Sequence, residues 1–191
     1  MPGCGNSQDD MISINHEIDD LNTVINYCDD YKHIIICGHS MGSSVSLELI
    51  NKYSNDKLLG LVLSGVPTNK VHYDWSMYYS NKQLNDLNTL GYLIDERKKT
   101  YKIAKETIDY FYNINQEKLL SNLKIPVYLI NGDSDYEEKM FVQDNIKAVN
   151  IYPNVFLNVI KGAGHSFKGY EDDLKVTIVN NINIIIKSTS K

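Results

Sequence analysis

A chain of 191 residues with 42% hydrophobic and 23% charged residues can bury one sizeable core without staples, and its composition is unlike that of disordered or collagen-like chains. The formal net charge of -5 at pH 7 and the pI near 5.5 argue against nucleic acid as a main partner, because phosphate binding needs a basic face. No apolar stretch approaches the roughly 20 residues that cross a bilayer, and the longest candidate, Ile182 to Ile186, is broken by Asn183 and followed by Lys187.

Cys4, Cys28 and Cys37 cannot all pair, and no N-terminal segment joins a charged start to an apolar run, so a cytoplasmic protein is expected. Ile18, Leu21, Val24, Ile25 and Cys28 recur at helical spacing and predict an amphipathic helix over about 16–29. His33 to Cys37 is a short β-branched run that reads as a strand. It ends at Gly38-His39-Ser40-Met41-Gly42, after which Val45, Leu49, Ile50 and Tyr53 return to helical spacing. Leu58 to Ser64, bounded by Asn55-Asp56 and Gly65-Val66-Pro67, reads as a second, buried strand.

Residues 68–122 interrupt this alternation. They hold the single tryptophan, Trp75, and seven of the 14 tyrosines. Leu84, Leu87 and Leu90, then Ile103, Thr107, Tyr110 and Phe111, predict helices with aromatic faces. An insertion of this length suits a helical lid or binding surface, with Trp75 on the substrate side; a helical layer that only covers the core is the other reading. Arg97-Lys98-Lys99 with Lys102 and Lys105 follows Asp95-Glu96 and reads as a solvated helix face. Beyond the insertion, Ile125 to Asn131 reads as a third strand and Val155 to Ile160 as a fourth, with Met140, Phe141, Ile146 and Val149 marking the crossover helix. The alternation predicts one α/β domain over 1–191, a mostly parallel sheet with flanking helices, interrupted by 68–122.

Gly38-His39-Ser40-Met41-Gly42 fits G-x-S-x-G between a strand and a helix. There a serine on a sharp turn projects its hydroxyl above the sheet edge, and glycines two positions away on either side relieve clashes with neighbouring backbone. Ser40 is the candidate nucleophile. The amide of Met41 is the candidate oxyanion donor, and His39 inside the turn is a candidate for substrate contact. His165, in Lys161-Gly162-Ala163-Gly164-His165-Ser166-Phe167, is the candidate base, since a glycine-rich loop after the fourth strand can bring an imidazole to the serine. The third member should be a carboxylate in the loop after the third strand, where Asn131-Gly132-Asp133-Ser134-Asp135 offers Asp133 and Asp135.

Gly38-His39-Ser40-Met41-Gly42, Leu61-Val62-Leu63-Ser64, Gly132-Asp133-Ser134-Asp135 and Gly162-Ala163-Gly164-His165-Ser166 together resemble, in order and spacing, blocks of the α/β-hydrolase superfamily. They look most like its monoacylglycerol lipase and serine aminopeptidase-type branch. The resemblance implies an α/β-hydrolase fold and selects Asp135, three residues after the strand-ending glycine, over Asp133. It implies a serine hydrolase that cleaves carboxylic esters or related acyl compounds through an acyl-enzyme, with a small-molecule acyl substrate and without metal or organic cofactor. Pro2-Gly3-Cys4-Gly5-Asn6-Ser7 resembles the G-x-G-x-S stretch that follows the fourth strand of complete members. The chain is therefore expected to begin part-way through the fold, with the loop for a second oxyanion donor upstream and with His33 to Cys37 on a sheet edge open to self-association. The rival expectations are a catalytically incomplete fragment that serves as a binding or interaction module, and a thioesterase, peptidase or perhydrolase on the same fold.

Overall fold

The structure, a computed structural model, describes residues 11–96 and 100–189. A two-residue strand β1 (Met11–Ile12) leads into helix α1 (Ile14–Tyr27), whose N-terminus is capped by Ser13 accepting from the His16 N–H. Strand β2 (Ile34–His39), helix α2 (Met41–Lys52) and strand β3 (Leu58–Ser64) follow. After the insertion come β6 (Val127–Gly132), α6 (Tyr136–Ile151), β7 (Val155–Ile160) and α7 (Glu171–Thr189). Strands β2, β3, β6 and β7 form one all-parallel sheet in that order, with Leu61 opposite Val127 and Val127 opposite Val155.

The two-residue alternation of these strands divides the core. Leu61, Leu63, Val127, Leu129 and Val155 face Leu47 of α2 and Ala148 of α6. Val62, Tyr128, Ile130 and Ile160 face Ile185 of α7. Helix α1 stacks outside α2, joining Ile18 and Ile25 to Val45 and Leu49. All six residues of β6 are buried, which explains why this strand reads as a continuous apolar run. Strand β2 is half-buried or exposed along its length, and among the described residues its one sheet neighbour is β3, as expected of an edge.

The insertion differs from the helical reading. It contains a 3-10 turn (Trp75–Met77), α3 (Asn81–Leu90), the antiparallel strands β4 (Tyr92–Asp95) and β5 (Tyr101–Ala104), α4 (Lys105–Asn113) and α5 (Gln116–Leu120). Ile103 sits on β5, opposite Leu93, and the helix begins only at Lys105. Its four-residue spacing to Thr107 suits a helix, but the ladder to β4 and the burial of Leu93 and Ala104 favour the hairpin. Lys102 thus lies on a strand and Lys105 pairs with Asp109 at 2.6 Å, while Arg97–Lys99 fall outside the described residues. Strand β1 pairs in parallel with β5, and Thr107 both accepts the Ile14 N–H (3.0 Å) and donates to the Ile12 carbonyl (3.2 Å). The segment before α1 is thereby fastened to the insertion.

Gly60 of β3 packs directly against Ile185 of α7. A Cβ there would lie 2.9 Å from Ile185 Cδ1 and 3.0 Å from the Pro126 carbonyl oxygen. Gly60→Val should therefore destabilise the chain by about 1–3 kcal/mol through overpacking, read as a lowered urea midpoint with unchanged slope. An unchanged midpoint would show that α7 yields freely.

Candidate active site

Strand β2 ends at His39 and α2 begins at Met41, leaving Ser40 alone on the turn with φ 54° and ψ -122°. Positive φ is strained for a residue with a side chain, and backbone hydrogen bonds hold it: Ser40 N–H donates to the Ser64 carbonyl (2.9 Å), and the Ser43 and Ser44 N–H groups donate to the Ser40 carbonyl (2.9 and 3.3 Å). Gly38 is required, because a Cβ would sit 2.9 Å from both the Gly42 carbonyl oxygen and the Ser43 nitrogen. Gly42 is not required for the same reason. A Cβ there meets nothing within 4 Å among the described residues, so the paired-clash expectation holds on one side only. Met41 is the first residue of α2, where backbone N–H groups have no intrahelical acceptor.

His165 Nε2 lies 2.9 Å from Ser40 Oγ. The carboxylate on its other nitrogen is neither candidate aspartate: Glu138 Oε1 stands 2.7 Å from His165 Nδ1. Glu138 is fully buried in the first turn of α6, and its Oε2 accepts from Asn131 Nδ2 and from the Gly132 N–H, both at 2.8 Å. Asp135, the expected acid, caps α6 instead. Its Oδ1 accepts the Glu138 N–H (2.8 Å) and its Oδ2 the His165 N–H (2.7 Å), so it holds the backbone of both residues and leaves the imidazole to Glu138. Asp133 Oδ1 accepts the Gly162 N–H at 2.6 Å. Both aspartates are consumed in clamping the loop after β6 to the loop after β7. These loops meet so closely that a Cβ on Gly132 would lie 2.0 Å from the Ala163 carbonyl oxygen.

Gly65, at φ 58°, packs against the imidazole, and a Cβ there would come within 2.9 Å of His165 Cε1. The hydrogen bond to Glu138 raises the His165 pKa above its ordinary value of 6.5, against an opposing effect of burial and with help from the charges of Glu137, Glu138 and Asp135. Protonated His165 thus stabilises the folded state in full below about pH 6.5, and that contribution is lost as pH rises through the higher folded-state value. His39 is placed beside the pair. Its ring centroid is 5.2 Å from that of His165, its Nδ1 is 3.0 Å from Ser64 Oγ, and burial, followed by the neighbouring His165, keeps its pKa low.

Trp75 belongs to an aromatic cluster, with centroids 4.8 Å from Tyr73 and 6.1 Å from Phe111 and Tyr79. The cluster is tied to the start of α6 through Tyr73, whose hydroxyl donates to Glu137, and among the described residues Trp75 has no hydrogen bond or ring contact with Ser40 or His165. Among the described residues no group of three or more His, Cys, Asp or Glu side chains could hold a metal ion, and no helix is long and apolar enough to cross a membrane.

No protein-family model matches the chain, and no curated protein matches it in sequence. Solved structures match it in shape. A bromoperoxidase from Bacillus anthracis superposes with a TM-score of 0.68 at 19% identity, over 97% of this chain and 78% of that one. A monoacylglycerol lipase from Paleococcus ferrophilus gives 0.67 at 16%, over 93% and 79%. A thermophilic esterase from Thermogutta terrifontis gives 0.65 at 17%, over 97% and 78%.

Asp135→Ala removes the α6 cap and the acceptor of the His165 N–H. It should cost about 1–2 kcal/mol of stability, seen in urea titration as an earlier midpoint. A neutral effect would mean that the loop is held by other bonds.

Proposed function

We propose that this chain, which has the α/β-hydrolase fold, is a serine hydrolase that cleaves carboxylic esters or related acyl compounds. The observation that carries the reading is the continuous contact from Ser40 Oγ through both nitrogens of His165 to a buried carboxylate. In the reactive tautomer His165 Nδ1–H donates a hydrogen bond to Glu138, which leaves Nε2 unprotonated to take the proton of Ser40 as its oxygen attacks the acyl carbon. The Met41 N–H is assigned to the oxyanion that forms. His165 then passes its proton to the departing alkoxide, leaving an acyl-Ser40. Water, deprotonated at the same nitrogen, attacks this ester, and the carboxylic acid leaves as the proton returns to Ser40.

Glu138 thereby takes the role expected of Asp135, and Asp135 acts as a positioning residue through two backbone N–H groups. His39, neutral beside His165, and the apolar cluster around Trp75 are assigned to the substrate side. This cluster suits an apolar acyl or aryl group, and the Tyr73–Glu137 hydrogen bond keeps the insertion in register with the acid.

A fluorophosphonate probe tests the nucleophile. Wild-type protein should be labelled, and Ser40→Ala and His165→Ala should lose labelling and p-nitrophenyl ester turnover by several orders of magnitude, since triad members act as a unit. Labelling that survives in Ser40→Ala would place the nucleophile elsewhere.

The pH profile tests the acid. Because neutral His165 is the base, kcat/KM should rise with pH through a pKa above 6.5. Glu138→Gln should move that limb to lower pH while reducing the plateau by about 10²–10⁴-fold. Asp135→Asn should leave the limb near its wild-type position. A limb displaced by Asp135→Asn and left in place by Glu138→Gln would return the role to Asp135.

A further inference from the structure

Helix α7 has a second apolar face that neither the core nor the proposed site uses. Leu174, Ile178, Ile182 and Ile185 turn toward the sheet. On the opposite side Asp172, Val176, Val179, Asn183 and Ile186 are all exposed, Val176 at 57%, Val179 at 47% and Ile186 at 47%. These positions advance by four and three residues in turn, which is the heptad seam of helices that pair along their length. Scattered apolar residues on a surface need no explanation, but three at this spacing, with one asparagine among them, form a stripe along a helix about 28 Å long.

We propose that this stripe docks on the same helix of a second copy of the chain, antiparallel to it, about a two-fold axis that passes the outer face of the helix midway between Val179 and Asn183. In that register Val176 of one copy faces Ile186 of the other, and Val179 faces Asn183. A polar residue at a seam position fixes the register at some cost in affinity. The flanking charges select this occupant and this direction. Helix α7 is acidic in its first turn and basic in its last, so the antiparallel pair sets Asp173 of each copy against Lys187 of the other. A parallel pair would gather the acidic first turns of both copies at one end of the contact and the two Lys187 side chains at the other. The contact is isologous and closed, and with one helix from each copy it makes a weak dimer. It is independent of the hydrolase reading.

Sedimentation velocity of the 191-residue chain up to about 0.5 mM should show a monomer–dimer equilibrium. Val176→Glu with Val179→Glu should leave only monomer. Asp173→Lys alone, or Lys187→Asp alone, should weaken the dimer about tenfold at low salt, and the two together should restore it to within about twofold. These two positions are exposed, so the charge exchange stays informative even if the seam variant fails to fold; urea midpoints check each protein. A wild type that remains monomeric, a dimer unmoved by the seam variant, or a charge exchange without rescue would overturn the proposal. So would association with phosphatidylcholine vesicles in place of self-association.

Discussion

Glu138 has no solvent-exposed surface, and a carboxylate so placed costs several kcal/mol unless its oxygens are satisfied. The structure around it reads as the answer to that constraint. One oxygen takes the Asn131 amide and the Gly132 N–H, and the other faces His165. Asn131 in turn accepts from Asn145, whose own oxygen accepts from Thr68, and Gln116 donates to Thr68. This chain of buried polar groups leads from the imidazole across α6 to the start and end of the insertion. Each member satisfies the next, so loss of one leaves a buried group unpaired and is felt along the line.

The same network explains how an insertion that interrupts a parallel sheet stays attached to it. Thr68, near its start, donates to Asn145, and Gln116, near its end, donates to Thr68 and to the Asp144 carbonyl, while Tyr73 bonds to Glu137 at the start of α6. Tyr79, Leu87, Leu93 and Ile108 form a small core within it, while Ile114, Leu119 and Leu120 join the main core against the sheet.

What was legible in the sequence followed from locality. The apolar runs Leu58–Ser64 and Ile125–Asn131 announce buried strands because parallel strands bury both faces, and Gly38 with Ser40 announces the turn because a strand-to-helix turn that tight leaves no room for a Cβ at Gly38. His165 was legible from the glycines around it. Glu138 was not, because which carboxylate reaches the imidazole is decided by tertiary burial. A local signal did exist: Asp135 followed three residues later by Glu138 is a helix-start pattern, which commits the aspartate to capping and places the glutamate in the helix's first turn. The β4–β5 hairpin was hidden for a different reason. Ile103 and Thr107 have helical spacing, and only pairing with Leu93 decides against it.

We propose that Glu138, and not an aspartate of the preceding turn, accepts the Nδ1–H hydrogen bond of His165. Proton NMR of the protein at a pH where His165 is charged reads this directly, as an exchange-protected resonance far downfield. The account predicts that the resonance is present in the wild type and in Asp135→Asn, and absent in His165→Ala and Glu138→Gln. A resonance that persists in Glu138→Gln and vanishes in Asp135→Asn would contradict it.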